Sequence, residues 1–159
     1  MAGERFWDFT SDYGVQLPLT DAALAECERA LGVVLPPEYV ALLRVRNGGT
    51  VATDRSAFLT RQPTSWATDH VPFEDCSGIG DAFPSITDSP SLNAEWGQPE
   101  ELVLLHGDGH WWVALDYRAG PDVEPAVVWF DNEVGEDVQL AASFADFVRG
   151  LTAPPPIED

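Results

Sequence analysis

The chain has 159 residues, of which 27 are acidic and eight are basic, so its formal net charge is −19 at pH 7. This charge repels phosphate backbones and anionic lipid surfaces, which argues against binding to nucleic acid or membranes, and it would speed encounter with a basic protein. With 45% hydrophobic residues the chain is too apolar to be disordered, and its length suits one domain. We expect this domain at residues 1–151 and a flexible proline-rich tail at residues 152–159.

A cytoplasmic location is expected for this chain. Its first residues lack the apolar run of a signal peptide, and no stretch is long and apolar enough to cross a bilayer. Its two cysteines, Cys27 and Cys76, do not form the disulfide framework of a secreted domain. Cys27 lies on the apolar face of a predicted helix and is expected to be buried, whereas Cys76 could be exposed.

The first segment, residues 6–18, is rich in aromatic side chains and irregular in pattern. Aromatic residues this close to a terminus usually anchor it onto the core. The expected anchors are Phe6, Trp7, Phe9 and Tyr13.

Two helices are predicted next. Thr20 is a favourable N-cap for a helix that ends at about Leu31, and Gly32 suits its C-cap. A second helix opens at Pro36-Pro37, because proline fits the first helical turn, where its missing N–H group is not needed. Asn47-Gly48-Gly49 ends it, because these residues accept left-handed backbone angles.

Residues 50–100 carry weaker signals. Short edge strands are predicted near Phe58 and Val71, and residues 84–92 are predicted to form a loop with one helical turn. The C-terminal half predicts a hairpin with a glycine-containing turn, two further strands, and a final helix that Ser143 caps and that ends at about Leu151. Because the strands are apolar at consecutive positions, both faces of the sheet should be covered. The predicted strands are residues 102–106, 111–117, 126–131 and 138–140.

One segment has a specific pattern. Glu28, Leu31-Gly32-Val33-Val34-Leu35-Pro36-Pro37-Glu38-Tyr39 and Asn47-Gly48-Gly49 match the signature E..LG..LP..Y..L....NGG. With this signature the chain resembles the SUKH superfamily of Smi/Knr type. Shorter matches, among them Gly78-Ile79-Gly80 and Glu95-Trp96-Gly97, extend the resemblance over nearly the whole chain.

The resemblance implies an α+β fold, with N-terminal helices packed on a central, mainly antiparallel sheet and a C-terminal helix. It also implies protein binding. Bacterial members are widely regarded as immunity proteins against polymorphic toxins, often nucleases or deaminases, and some eukaryotic relatives regulate cell-wall synthesis through protein contacts. The signature residues themselves suit backbone geometry and core packing, so they identify the fold rather than the binding site.

The sequence offers little support for catalysis. It contains no nucleophile elbow, P-loop or dinucleotide fingerprint. His106 and His110 flank Asp108, and Asp116 follows, a set of residue types that suits zinc. The two histidines lie at opposite ends of a hairpin turn, however, and no second cluster completes the shell. We therefore expect no catalytic residues, no metal and no cofactor. A hydrolase or metal-dependent enzyme that uses His106, His110 and Asp116 is the weakest hypothesis.

The leading hypothesis is a non-enzymatic protein that neutralises a basic toxin domain by stoichiometric binding. Acidic turns would face the toxin, and one of Trp111 and Trp112 would be exposed as an anchor, because neighbours in a strand face opposite ways. The usual explanation for the acidic run of Asp131, Glu133, Glu136 and Asp137 is instead a solvated loop. The alternative function is a regulatory or scaffolding adaptor without a toxin partner, and either protein would be a monomer or weak homodimer. The predicted partner-binding residues are Asp108, His110, Trp111, Asp131, Glu133, Glu136 and Asp137.

Overall fold

The helices and strands are largely grouped along the chain in an α+β arrangement, as the sequence predicts. The computed structural model describes residues 2–156, with side chains from residue 4, so residues 157–159 of the predicted tail lie outside the described part. The helices are α1 Ala2–Phe6, α2 Asp21–Leu31, α3 Pro37–Val45, α4 Ser89–Trp96 and α5 Phe144–Gly150. The strands are β1 Gly49–Thr50, β2 Ala57–Leu59, β3 His70–Pro72, β4 Asp75–Cys76, β5 Leu102–Gly107, β6 Trp111–Asp116, β7 Ala126–Asp131, β8 Glu136–Ala141 and β9 Leu151–Thr152.

A four-stranded antiparallel sheet in the order β5-β6-β7-β8 forms the centre of the fold. These strands follow one another in the chain, and each pairs with the next. They coincide with the four strands predicted from the C-terminal half. The remaining strands form a three-stranded sheet, β3-β2-β9, and a two-stranded ribbon, β1-β4.

Both faces of the central sheet are buried, as predicted from its consecutive apolar residues. On one face Val113, Leu115 and Trp129 belong to the main core, into which the N-terminal helices and α5 also pack. On the other face Ala114 and Val128 lie in a second, smaller core. Because side chains alternate between the two faces along each strand, the sheet contributes residues to two separate apolar layers.

The predicted caps of the helices are present. The Thr20 hydroxyl accepts a hydrogen bond from the Ala23 amide at 3.1 Å at the start of α2, and Gly32 ends that helix at φ +70°. The Ser143 hydroxyl accepts from the Asp146 amide at 3.1 Å at the start of α5. The Thr20 and Ser143 hydroxyls satisfy amide groups that the first helical turn leaves without partners.

Helix α4 was predicted only as a loop with one helical turn. Pro90 and the neighbouring serines suggest a loop, but proline is favourable in the first turn of a helix, where Pro90 lies. The helix packs on the second face of the sheet through side chains that bond to β5. The Ser89 hydroxyl accepts from the Leu104 amide at 2.9 Å, and Asn93 Nδ2 donates to the Leu102 carbonyl oxygen at 2.9 Å.

The last strand also differs from the sequence prediction. Thr152, which the sequence places in the tail, pairs with Ala57 of β2 in the three-stranded sheet. Two residues of backbone pairing are too few to give a periodic hydrophobic signal, so sequence alone does not distinguish this strand from a tail.

The aromatic segment at the N-terminus is anchored by only two of its four predicted anchors. Phe6 and Trp7 are buried, and Trp7 Nε1 donates to the Leu42 carbonyl oxygen at 3.1 Å. Phe9 and Tyr13 are instead 55% and 56% exposed. The prediction was wrong for these two because the chain leaves the core after Trp7 and turns outward.

Candidate partner-binding site at the turn end of the sheet

Two turns of the central sheet lie side by side at one end. Trp111 at the start of β6 pairs with Asp131 at the end of β7, and Asp131 pairs with Glu136 at the start of β8. Asn132 joins the turns, because its amide donates to the His110 carbonyl oxygen and its Nδ2 donates to the Gly109 carbonyl oxygen, both at 2.8 Å. We call this edge the turn end of the sheet.

Two of the predicted binding carboxylates at the turn end have internal partners. Asp131 is buried, and its carboxylate accepts hydrogen bonds from the Ser65 hydroxyl at 2.5 Å and the Glu133 amide at 2.9 Å. Glu136 accepts from the Ser65 amide at 2.9 Å and from Trp129 Nε1 at 2.8 Å. Asp131 and Glu136 therefore fix the loop around Ser65 to the sheet.

Asp137 is held by an arginine. Arg118 donates two hydrogen bonds to the Asp137 carboxylate, at 2.6 and 3.0 Å, and two more to Asp116, at 2.8 and 3.0 Å. The hydrogen bonds to Asp137, and then those to Asp116, raise the pKa of the Arg118 guanidinium. Burial opposes ionisation of Asp116, but its hydrogen bonds with Arg118 hold the pKa of that carboxyl below its usual value. A bidentate pair of this kind fixes both carboxylates in place.

Asp108, His110 and Glu133 remain as exposed polar residues at the turn end. Asp108 accepts from the His110 amide at 2.9 Å, which shapes the turn and leaves the side chain at the surface. His110 Nδ1 lies 3.9 Å from Glu133 Oε2, and the His110 ring lies edge-on to Trp96 with centroids 5.6 Å apart. These four residues, Trp96 included, are called the turn-end surface.

Neither Trp111 nor Trp112 is an exposed anchor. Each is only 8% exposed, because both faces of the sheet are covered. Trp111 stacks on Trp129 with ring centroids 4.8 Å apart, and Trp66 covers its other side at 5.4 Å. The exposed tryptophans near the turn end are Trp66 and Trp96, at 46% and 41%. Sequence reasoning missed Trp96 because α4 was not recognised, and Trp66 because its loop carries no periodic pattern.

The three residues of the proposed metal enzyme are not brought together. His106 packs against the rings of Phe73 and Trp111 with its side chain 11% exposed, His110 lies at the surface, and Asp116 is bonded to Arg118. Burial lowers the pKa of His106 to about 4, so this imidazole is neutral at pH 7. In the described part of the chain, no group of three or more His, Cys, Asp or Glu side chains is arranged to hold a metal ion.

A narrow crevice of about 50 Å³ runs beside β5. His106 and Trp112 line it, and His106 Nε2 and Trp112 Nε1 are buried atoms without a hydrogen-bond partner among the described residues. The exposed rings of Tyr13 and Phe83 also line the crevice, as does Asp75. Burial raises the pKa of Asp75. Unpaired buried polar atoms are uncommon and call for a partner.

Both cysteines are free and buried. Cys27 is buried in the core as predicted, and burial raises the pKa of its thiol to about 11. The expectation that Cys76 could be exposed was wrong, because β4 places it in the main core, where burial raises its thiol pKa further. Neither thiol has the exposed, ionised character of a reactive cysteine.

The helices, the antiparallel sheet and the signature segment define an α+β domain of the SUKH type. The chain belongs to the SMI1 / KNR4 family (SUKH-1), whose family model matches residues 18–150. Membership implies protein-partner binding in general, and the family is known as an immunity-protein-like domain. No curated protein matches the chain.

In the described part of the chain, no helix is long and apolar enough to cross a bilayer.

Proposed function

We propose that this protein is an immunity protein that neutralises a basic toxin domain, of nuclease or deaminase type, by stoichiometric binding. The observation that carries the proposal is the combination of the SUKH fold with a net charge of −19. Toxins that act on nucleic acid carry basic clefts for the phosphate backbone. An acidic protein that covers such a cleft competes directly with the nucleic acid.

The turn-end surface is the proposed first contact with the toxin. Asp108 and Glu133 are exposed there, and no arginine of the described residues bonds to either. Exposed charges of this kind accelerate encounter with an oppositely charged partner, and they change the association rate more than the final affinity. Trp96, beside them, offers an apolar ring next to the charges.

Among the predicted binding residues, those with internal partners have a different proposed role. Asp131 and Glu136 hold the Ser65 loop, Asp137 is held by Arg118, and Trp111 is buried. We assign these four to the support of the site and keep Asp108, His110 and Glu133 as contact residues. Rigid support of this kind favours binding, because less conformational entropy is lost on association.

The experiment is a pull-down from the native host with the tagged protein as bait, followed by identification of captured proteins by mass spectrometry. Immunity predicts recovery of one basic toxin domain in near-equal amount, and protection of cells that express that toxin when this protein is co-expressed. A matched variant, Asp108→Asn with Glu133→Gln, should slow association and flatten its dependence on salt.

Two results would oppose the proposal. Recovery of cell-envelope or signalling proteins without any toxin would favour the adaptor function instead. Capture of a toxin whose activity the protein leaves unchanged would show binding without neutralisation.

A further inference from the structure

Four large apolar side chains are exposed together on two adjoining loops. Phe9, Tyr13 and Leu17 come from the N-terminal loop and Phe83 from the loop before α4, and their exposed fractions are 55%, 56%, 86% and 71%. We call them the apolar loop surface. Single exposed apolar residues are ordinary, but a group of this size on a soluble chain marks an interaction surface.

Hydrogen bonds join the two loops. Gln16 Nε2 donates to the carbonyl oxygens of Ala82 and Pro84, at 2.5 and 3.0 Å. The Gln16 side chain also accepts from the Ala82 amide at 3.3 Å. Gln16 itself is buried, so its amide group faces the protein while its neighbours Val15 and Leu17 face outward. The two loops therefore present one surface.

Buried polar groups also hold the N-terminal loop against α3. Arg46 donates to the carbonyl oxygens of Asp8, at 3.0 Å, and Ser11, at 2.5 Å, and its side chain is only 10% exposed. Asn47 Nδ2 donates to the Leu17 carbonyl oxygen at 2.7 Å. The loop thus turns its polar backbone inward and its apolar side chains outward. Because it is already fixed, these side chains can be buried by a partner at little cost in entropy.

The apolar loop surface lies among carboxylates. Asp12 on the same loop is fully exposed, Glu26 and Asp81 line the depression beside Leu17, and Asp75 lines the crevice under Tyr13. Arg46 lies over the Phe9 ring at 5.2 Å, and its guanidinium is bonded to the loop carbonyls and lies 3.8 Å from Asp12. A second copy of this chain, also at −19, would be repelled, whereas a basic partner would be attracted.

The crevice adds an independent observation. Tyr13 and Phe83 line it, as do Trp112 and His106, whose buried Nε1 and Nε2 atoms have no hydrogen-bond partner among the described residues. The indole N–H group can only donate, so it requires an acceptor. A polar group of a partner that covers the rings could enter the crevice and satisfy it.

We infer that the apolar loop surface is the buried centre of the interface with a basic protein partner, whose apolar residues cover Tyr13, Leu17 and Phe83. This inference rests on the proposed function and adds the location of the interface to it. The turn-end surface then speeds the first encounter with the partner. The two loops supply the apolar contact area that determines how slowly the complex dissociates.

The test uses the basic domain captured by the wild-type protein in the pull-down, purified and titrated calorimetrically against variants. Tyr13→Ser with Phe83→Ser, and separately Leu17→Ser, should each raise Kd at least about tenfold, mainly through faster dissociation. Leu59→Ser is the matched control, because Leu59 is 55% exposed on β2, outside the apolar loop surface, and its Kd should stay within about threefold of wild type. Thermal unfolding of each variant checks that it is folded.

The outcomes separate the two proposals. If wild type binds the basic domain and the loop variants bind equally well, the interface lies elsewhere and the immunity function stands. If wild type captures no basic protein, the function fails and this inference fails with it. If wild type forms a dimer that Tyr13→Ser with Phe83→Ser abolishes, the surface joins two copies of the chain and the inference is overturned.

Discussion

The side chain of Asn47 pairs with the backbone of Ile79 through two hydrogen bonds. Asn47 Nδ2 donates to the Ile79 carbonyl oxygen at 2.8 Å, and Asn47 Oδ1 accepts from the Ile79 amide at 2.9 Å. Two elements of the family resemblance, the Asn47-Gly48-Gly49 triplet and the Gly78-Ile79-Gly80 segment, therefore touch each other. The asparagine of the signature is a structural residue, as the sequence analysis expected.

Replacement of Asn47 by alanine should destabilise the protein strongly. It leaves the Ile79 amide and the carbonyl oxygens of Ile79 and Leu17 without their side-chain partner in a buried setting. A loss of about 3 kcal/mol is expected, since each orphaned buried group costs roughly 1–3 kcal/mol and such losses do not add fully. Urea unfolding measures it, with the exposed Gln62→Ala as control. A loss below about 1 kcal/mol would show that Asn47 does not hold the two segments together.

Gly78 should not tolerate a side chain. A Cβ atom there would lie 2.5 Å from both the Asn47 carbonyl oxygen and Asn47 Oδ1, and the backbone oxygen cannot move away easily. Gly97→Ala is the comparison, because that position is open but has φ +65°, so alanine meets only backbone strain of about 1 kcal/mol there. Gly78→Ala should lower the midpoint of thermal unfolding more than Gly97→Ala does. Equal shifts would contradict the close packing of the two segments.

His106 should contribute a loss of stability as pH falls from 6.5 to about 4. Burial lowers the pKa of His106 from 6.5 to about 4 in the folded state. Within this window the unfolded imidazole binds a proton and the folded one does not, so protonation favours the unfolded chain by up to about 3 kcal/mol. Urea unfolding at a series of pH values measures the effect, and NMR titration of the His106 ring gives its folded pKa directly.

The variant His106→Gln removes this titrating group, so its stability relative to wild type should increase as pH falls from 6.5 to 4. His110→Gln, at the surface, should keep the wild-type profile. If His106→Gln and wild type lose stability in parallel over this window, other groups are responsible.

Asp137 should matter for stability more than for binding. Arg118→Ala removes its bidentate partner and leaves Asp116 and Asp137 close together without the intervening cation. A modest loss of about 1 kcal/mol in the free energy of unfolding is expected, because the pair is partly exposed to solvent.

Asp137→Asn should leave the rate of partner association nearly unchanged, whereas Asp108→Asn with Glu133→Gln should slow it. Stopped-flow association at low salt makes the comparison, and equal slowing would mean that Asp137 contacts the partner.

Regular elements of the fold were predictable because local signals agreed with the tertiary structure. Thr20 and Gly32 limit α2 through their own side-chain and backbone chemistry, which requires no distant contact. The central strands are apolar at consecutive positions because both faces are covered. The two-residue β9 has no such local signal and depends on a partner far along the chain. Helix α4 has Pro90 in its first turn and Gly97 at its C-terminal end, but its serines and proline also suit a loop.

The candidate site was less predictable, because the solvent exposure of a side chain depends on residues that lie far away in the sequence. Local sequence does not distinguish an exposed aspartate in a turn, such as Asp108, from one on a strand that pairs with a distant arginine, such as Asp137 with Arg118 nineteen positions earlier. Adjacent tryptophans in a strand face opposite ways, but α4 covers the second face and buries Trp112 too. The outward turn of the chain after Trp7 likewise depends on Arg46, which lies far along the sequence.

Calorimetric titration of the purified protein with the catalytically inactivated form of the basic domain captured in the pull-down tests the central claim most directly. Neutralisation by stoichiometric binding predicts one-to-one binding with a Kd of about 10⁻⁸ M or tighter that weakens as salt is added. The same ratio should abolish the activity of the intact toxin. An absence of binding, or binding that leaves the toxin fully active, would contradict the claim.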